Sequence, residues 1–132
     1  MKTVVFACVH NAGRSQMAAA WFNRVADPAK ARAISAGTQP GDHVHPVVVD
    51  AMNEKGIDLA RAQPQKLTLE LAQGAAFLIT MGCGENCPYV PGVPLLDWPL
   101  PDPKGQGIET VRVTRDEVEA RVRAFVAEHG WS

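Results

Sequence analysis

Apolar runs and helical stripes alternate along this chain. Thr3-Val4-Val5-Phe6-Ala7 is β-branched and apolar with no polar residue after Thr3, as a buried strand would be. Met17, Ala20, Trp21 and Val25 then recur at helical spacing. Asp27-Pro28 breaks that helix, and Ala31-Arg32-Ala33-Ile34-Ser35-Ala36 reads as a second, short strand followed by a loop over Gly37-Thr38-Gln39-Pro40-Gly41. Pro46 suits a first helical turn, Val48, Ala51 and Met52 make its apolar stripe, and Gly56 is placed to end it. Ile57 and Leu59 extend away from it. Leu67, Leu69 and Leu71 form a short helical segment closed by Gly74. Ala76-Phe77-Leu78-Ile79-Thr80-Met81 is the third strand, and Leu95 and Leu96 mark a short fourth. The last helix starts near Glu109, with Val111, Val118, Val122 and Phe125 on its buried face. Arg112, Arg115, Glu119 and Arg123 fall on its wet face.

The order β-α-β-α-(α)-β-β-α predicts a single α/β domain over residues 1–132. Its sheet is four-stranded and parallel, with helices on both faces and right-handed crossovers. Sites in such sheets lie beyond the carboxyl ends of the strands. Cys8 directly follows the first strand and Cys83 the third, so both are expected on one rim.

The bulk properties narrow the class. At 132 residues and 46% apolar the chain can bury a real core. A net charge of −1 with no basic block argues against nucleic acid as a partner. No run is long enough to span a membrane, and the apolar run after Lys2 is too short for a signal peptide. Three cysteines, an odd number, favour reduced and reactive thiols in a cytoplasmic setting. No repeat or low-complexity segment is present. His43 and His45 stand two apart without an acidic or further histidine cluster nearby, so they read as solvent-exposed loop residues and no metal site is expected.

Chemistry concentrates in Cys8-Val9-His10-Asn11-Ala12-Gly13-Arg14-Ser15, a tight loop between strand and helix. Gly13 has the backbone freedom to let the loop curl with its amides inward, converging with the positive end of the helix on one point. A tetrahedral oxyanion suits that point. Helix N-termini and cations pull a cysteine pKa below its usual ~8.5, so Cys8 is expected to be a thiolate nucleophile. Arg14 offers a planar fork for two oxyanion oxygens. Ser15 is placed to donate to the Cys8 sulfur, and Asn11 to tie the loop's own backbone.

At these residues the sequence resembles the low-molecular-weight tyrosine phosphatase fold and, within it, the thiol-dependent arsenate reductases. Cys8, Asn11, Arg14 and Ser15 match the signature loop in order and spacing, Ser35-Ala36-Gly37-Thr38 is also shared, and the resemblance runs along nearly the whole chain. It implies a substrate-binding loop of Val9, His10, Asn11, Ala12, Gly13 and Arg14. It also implies a general acid at an aspartate followed by proline, which Asp102-Pro103 matches in a proline-rich loop after the fourth strand. Asp97 reads instead as a strand-end residue.

Gly82-Cys83-Gly84-Glu85-Asn86-Cys87-Pro88 carries two cysteines with three residues between them on a glycine-containing loop. From the residues alone, a zinc ligand pair, two unrelated thiols and a redox pair are all open. The resemblance supports the redox pair, because reductases of this family carry one here, in many members more widely spaced. Phosphatases of the family place aromatic rings just past the acid to grip phosphotyrosine. Here Lys104, Gly105, Gln106 and Gly107 follow Pro103. That difference and the cysteine pair favour arsenate over phosphotyrosine. A non-catalytic oxyanion sensor is the rival from another class. Some family reductases bind potassium through a glutamate of the first helix, where this chain has Ala19, so no potassium site is carried over.

The resemblance thus implies arsenate in and arsenite out, in arsenic detoxification, with phosphate or sulfate as competing oxyanions. Cys8 attacks arsenic, Asp102 protonates the departing hydroxyl, and oxidation passes to Cys83 and then to Cys87. No bound cofactor is expected. An external thiol reductant is required: thioredoxin, a glutaredoxin system or mycothiol. A monomer is expected.

Overall fold

The computed structural model describes residues 1–81 and 90–132. Cys83 and Cys87, the expected redox pair, lie outside the described residues. The elements follow the expected order: β1 (Lys2–Cys8), α1 (Arg14–Val25), β2 (Ala31–Gly37), α2 (Pro46–Asn53), α3 (Leu69–Ala72), β3 (Phe77–Thr80), β4 (Leu95–Asp97) and α4 (Ile108–Glu128). All four strands pair in parallel, in the order β2-β1-β3-β4. Register aligns their carboxyl ends: Cys8 pairs with Gly37, Ala7 with Thr80, and Thr80 with Asp97. One rim therefore collects the last residue of every strand.

Alternation along β1 sorts the core into two layers. Val4, Phe6 and Cys8 face Met17 and Phe22 of α1, Val48 and Met52 of α2, and Val111, Val118 and Val122 of α4. Val5 and Ala7 face the other way, onto Leu67, Ala72, Ala75, Leu78 and Val90. Helices cover both faces, but unequally: α1, α2 and α4 crowd one, and the single turn of α3 sits on the other. Each fully buried large side chain, Phe22 for example, contributes about 1.5–3 kcal/mol. In α3, Thr68 caps the helix by accepting from Leu71 N at 3.0 Å. One turn buries only one side, so Leu69 is left exposed while Leu67 is buried.

One expected surface residue is instead internal. Arg115, read as part of the wet face of α4, is 5% exposed. Its Nη1 donates to Ala51 O at 2.8 Å and to Glu54 Oε1 at 2.7 Å, and its Nε to Asp116 Oδ1 at 2.9 Å. The cause is the end of α2. A helix leaves its last carbonyls without intrahelical donors, and where α2 crosses α4 the Arg115 guanidinium supplies one to Ala51. The aliphatic stem packs in the seam while the charge is neutralised by acids.

Candidate active site

The loop from Cys8 to Gly13 is held from outside, carbonyl by carbonyl. Thr38 N donates to Cys8 O (3.2 Å), Gln39 N to Val9 O (2.8 Å), Gly41 N to His10 O (2.9 Å), His45 N to Ala12 O (2.9 Å), and Met17 N to Gly13 O (3.0 Å). Gln16 Nε2 donates to Asn11 O at 3.1 Å. No peptide is cis. In a trans peptide, C=O and N–H point to opposite sides, so outward carbonyls turn the amides of the same units inward. This is the arrangement expected for an oxyanion cradle at a helix start.

The left-handed residue of the loop is Asn11, with φ 50°, while Gly13 stands at φ −149° and ψ −88°. Gly13 is also needed for a close approach. A Cβ there would lie 2.4 Å from Pro103 Cγ, so only glycine lets the loop carrying Asp102 close over the cradle. Gly37 does the same from below, where a Cβ would meet Val9 O at 2.6 Å.

Cys8 is 2% exposed, and its Sγ lies 2.8 Å from Ser15 Oγ. Asn11 Nδ2 donates to the same hydroxyl at 2.8 Å. The asparagine thus ties Ser15, and through Oδ1 the Gln65 N–H at 2.9 Å, rather than the loop's own backbone as the sequence suggested. Arg14 is 6% exposed. Its Nη1 donates to Met81 O at 2.7 Å and Leu100 O at 3.2 Å, while Nη2 stands 3.8 Å from Asp102 Oδ2. One nitrogen of the expected fork therefore braces the rim, and the other faces the acid. Asp102 is half-exposed, and its Oδ1 accepts from Lys104 N at 2.9 Å. Asp97 ends β4 and accepts from Thr80 Oγ1 at 2.8 Å.

His43 is exposed as expected, but His45 is not a free loop residue. It is half-buried, because its N–H is spent on Ala12 O and α2 begins at Pro46. With His10, His43, Ala12, Gly41, Asp42 and Lys104 it lines a cavity of about 160 Å³ beside the cradle. Burial, more than any other cause, pushes its pKa below the usual histidine value, and the Asp102 carboxylate pulls the other way. Among the described residues no group of three His, Cys, Asp or Glu side chains is placed to hold a metal. No described helix is long and apolar enough to cross a membrane.

Sequence reasoning missed Gln16 and Gln65. Gln16 is buried, and its Nε2 also reaches Asn11 Oδ1 (3.2 Å) and Gln63 O (3.4 Å). Gln65 Nε2 donates to Ser35 O at 2.8 Å. A glutamine in a first helical turn reads as solvated. The one available signal was its place next to Ser15, on the side of the loop.

With this geometry in hand, comparison with known proteins places the chain. The profile of the low molecular weight phosphotyrosine protein phosphatase family matches residues 3–130, and the chain belongs to that family. A Halobacterium salinarum protein named provisionally as an arsenate reductase is 39% identical over 121 residues, spanning 89% of this chain and 85% of that one. The glutaredoxin arsenate reductase of Synechocystis is 34% identical over 131 residues, 97% of this chain and 98% of that one. Among solved structures, the thioredoxin-dependent arsenate reductase Cg_ArsC1' of Corynebacterium glutamicum superposes with a TM-score of 0.82 at 35% identity. That match takes in 97% of this chain but 61% of the Corynebacterium chain.

Proposed function

We propose that this chain, acting as one domain over residues 1–132, is an arsenate reductase that converts arsenate to arsenite for arsenic detoxification. The observation that carries the reading is the buried Cys8 sulfur 2.8 Å from the Ser15 hydroxyl, under a loop whose carbonyls are all bonded outward. The names of its relatives support the choice of arsenate.

The mechanism follows from the same atoms. Cys8 thiolate attacks arsenic held by the inward amides and by the free N–H groups of Arg14. Asp102, beside Arg14 Nη2, gives its proton to the departing hydroxyl, which leaves as water. Reduction needs two electrons. A second thiolate attacks Cys8 Sγ, the sulfur–arsenic pair stays with arsenic, and arsenite leaves as a disulfide forms. Cys83 is our candidate for that thiolate. It is two residues beyond Met81, whose carbonyl already touches Arg14, and two extended residues span roughly 7 Å. Cys87 then attacks Cys83 and frees Cys8, leaving a disulfide for an external thiol reductant. That reductant is a thioredoxin- or glutaredoxin-type protein, or a small thiol of the mycothiol kind. No resident cofactor takes part, and phosphate or sulfate competes for the cradle. We place the reaction in the cytoplasm, carried out by a monomer.

Arsenate turnover with thioredoxin and its reductase, set against phosphotyrosine hydrolysis, tests this. Steady arsenite production, absent in Cys8→Ser and trapped as Cys8–Cys83 in Cys87→Ser, is expected. Phosphotyrosine hydrolysis without arsenate reduction makes the chain a phosphatase instead. Arsenate binding without turnover makes it an oxyanion sensor. Full turnover by a Cys83→Ser, Cys87→Ser variant with a small thiol sinks the relay.

A further inference from the structure

We propose that Gln16 is a positioning residue for the nucleophile, acting through Asn11 and Ser15 to aim a hydrogen at the Cys8 sulfur. The proposal rests on Cys8 being the nucleophile and extends that reading to a residue it did not include.

The direction of every hydrogen in this relay can be deduced. The Gln65 main-chain N–H can only donate, and it lies 2.9 Å from one end of the Asn11 amide, so that end is Oδ1. The other end, Nδ2, therefore faces Ser15 Oγ at 2.8 Å, and an amide nitrogen can only donate. Ser15 Oγ accepts there, which leaves its single hydrogen for Cys8 Sγ at 2.8 Å. A donor at that distance holds the sulfur in place for attack. It also steadies the sulfur when Cys8 must leave again.

Asn11 is an unfavourable place to anchor such a relay. Its φ of 50° is a left-handed conformation that even asparagine holds only where the surroundings fix it. Gln16 holds it there. Three oxygens surround Gln16 Nε2: Asn11 O at 3.1 Å, Asn11 Oδ1 at 3.2 Å and Gln63 O at 3.4 Å. All three are acceptors, so the glutamine presents nitrogen to them and not oxygen. One amide thus fixes the backbone of the left-handed residue, adds to the polarity of its side chain, and joins it to the segment that carries Gln65. That segment is itself pinned to β2, through Gly37 N on Gln65 O (2.9 Å) and Gln65 Nε2 on Ser35 O (2.8 Å). None of these hydrogen bonds of Gln16 reaches the sulfur, so its effect has to pass through Asn11 and Ser15.

The test uses Gln16→Met, which keeps the shape and removes the donors, and Gln16→Glu, which sets an acceptor against three oxygens. Iodoacetamide alkylation of Cys8 at neutral pH is read without arsenate, so it reports on the relay even if arsenate is the wrong substrate. Alkylation and kcat are both expected to fall about tenfold in Gln16→Met, and further in Gln16→Glu, with the KM for arsenate within about twofold of the parent. In a Ser15→Ala background Gln16→Met is expected to add nothing. Unchanged alkylation in Gln16→Met overturns the proposal, and so does an equal loss with and without Ser15. Should the variants not fold, the side-chain amide resonances of Asn11 and Gln16 are followed in the parent as Cys8 titrates. Both are expected to shift with the sulfur, and flat resonances overturn the relay.

Discussion

Two arginines of this chain are buried almost equally, Arg14 at 6% and Arg115 at 5% exposure, and each gives Nη1 to main-chain carbonyls. Their acids differ. Arg115 meets Glu54 at 2.7 Å and Asp116 at 2.9 Å, so its charge is answered within the fold. Among the described residues Arg14 has one acid, Asp102, at 3.8 Å, on a half-exposed side chain, beyond hydrogen-bond range. A buried cation that is anchored by carbonyls but incompletely paired is a standing attraction for an anion. A buried cation with two close carboxylates is a staple. The same residue type, equally hidden, is left facing a distant acid at one place and is closed into the fold by near ones at the other, and the separation is made by acid distance.

Replacing each arginine should therefore cost different things. Arg14→Lys keeps a donor for Met81 O but loses the planar fork. Arsenate reduction is expected to fall roughly 10³-fold in kcat/KM, with a thermal midpoint close to the parent's. A variant that loses stability but keeps activity would give Arg14 the role assigned here to Arg115. Moving to the acid of the same pair, Asp102→Asn removes the proposed proton source while leaving an Asx turn to Lys104 N. A drop of about 10²-fold in kcat is expected, with phosphate inhibition unchanged. Loss of phosphate binding together with kcat would mean that Asp102 orients Arg14 and is not the acid.

The sequence carried the frame of this site well and its wiring poorly. Strand, loop and helix were legible because apolar runs and helical stripes report burial directly, and parallel register does the rest by bringing Cys8, Gly37, Thr80 and Asp97 to one rim. Gly13 and Asn11 are both legible as loop-shaping residues, but only in part. The positive φ falls on the asparagine, and the glycine is constrained as well by Pro103, a residue ninety positions away. Gln16 and the burial of Arg115 are illegible for the same reason. A polar side chain on a helix reads as solvated until the element packed against it is known, and periodicity within one helix holds no record of a facing carbonyl.

The staple gives the smallest and most local prediction. Arg115→Met leaves Ala51 O without its donor and Glu54 with one arginine fewer, at a cost of about 2 kcal/mol. For a domain of this size that is a fall of roughly 8 °C in thermal midpoint, with kcat unchanged. Glu54→Gln should do less, since Glu54 lies at the surface and surface pairing is screened. Its signature is in the pH dependence. Hydrogen bonds from Arg112 first and Arg115 second hold the Glu54 carboxyl down to about 2, from an ordinary value of 4.5. A carboxyl depressed in the folded state stabilises fully above its unfolded pKa and loses that contribution as pH falls toward its folded one. Parent and Glu54→Gln should thus differ in thermal midpoint at pH 5 and above, and converge between pH 4.5 and 2. A gap that stays constant across that window would mean Glu54 acts by shape and hydrogen bonding alone. The contrast with Arg14 would then not rest on the charge of the acid.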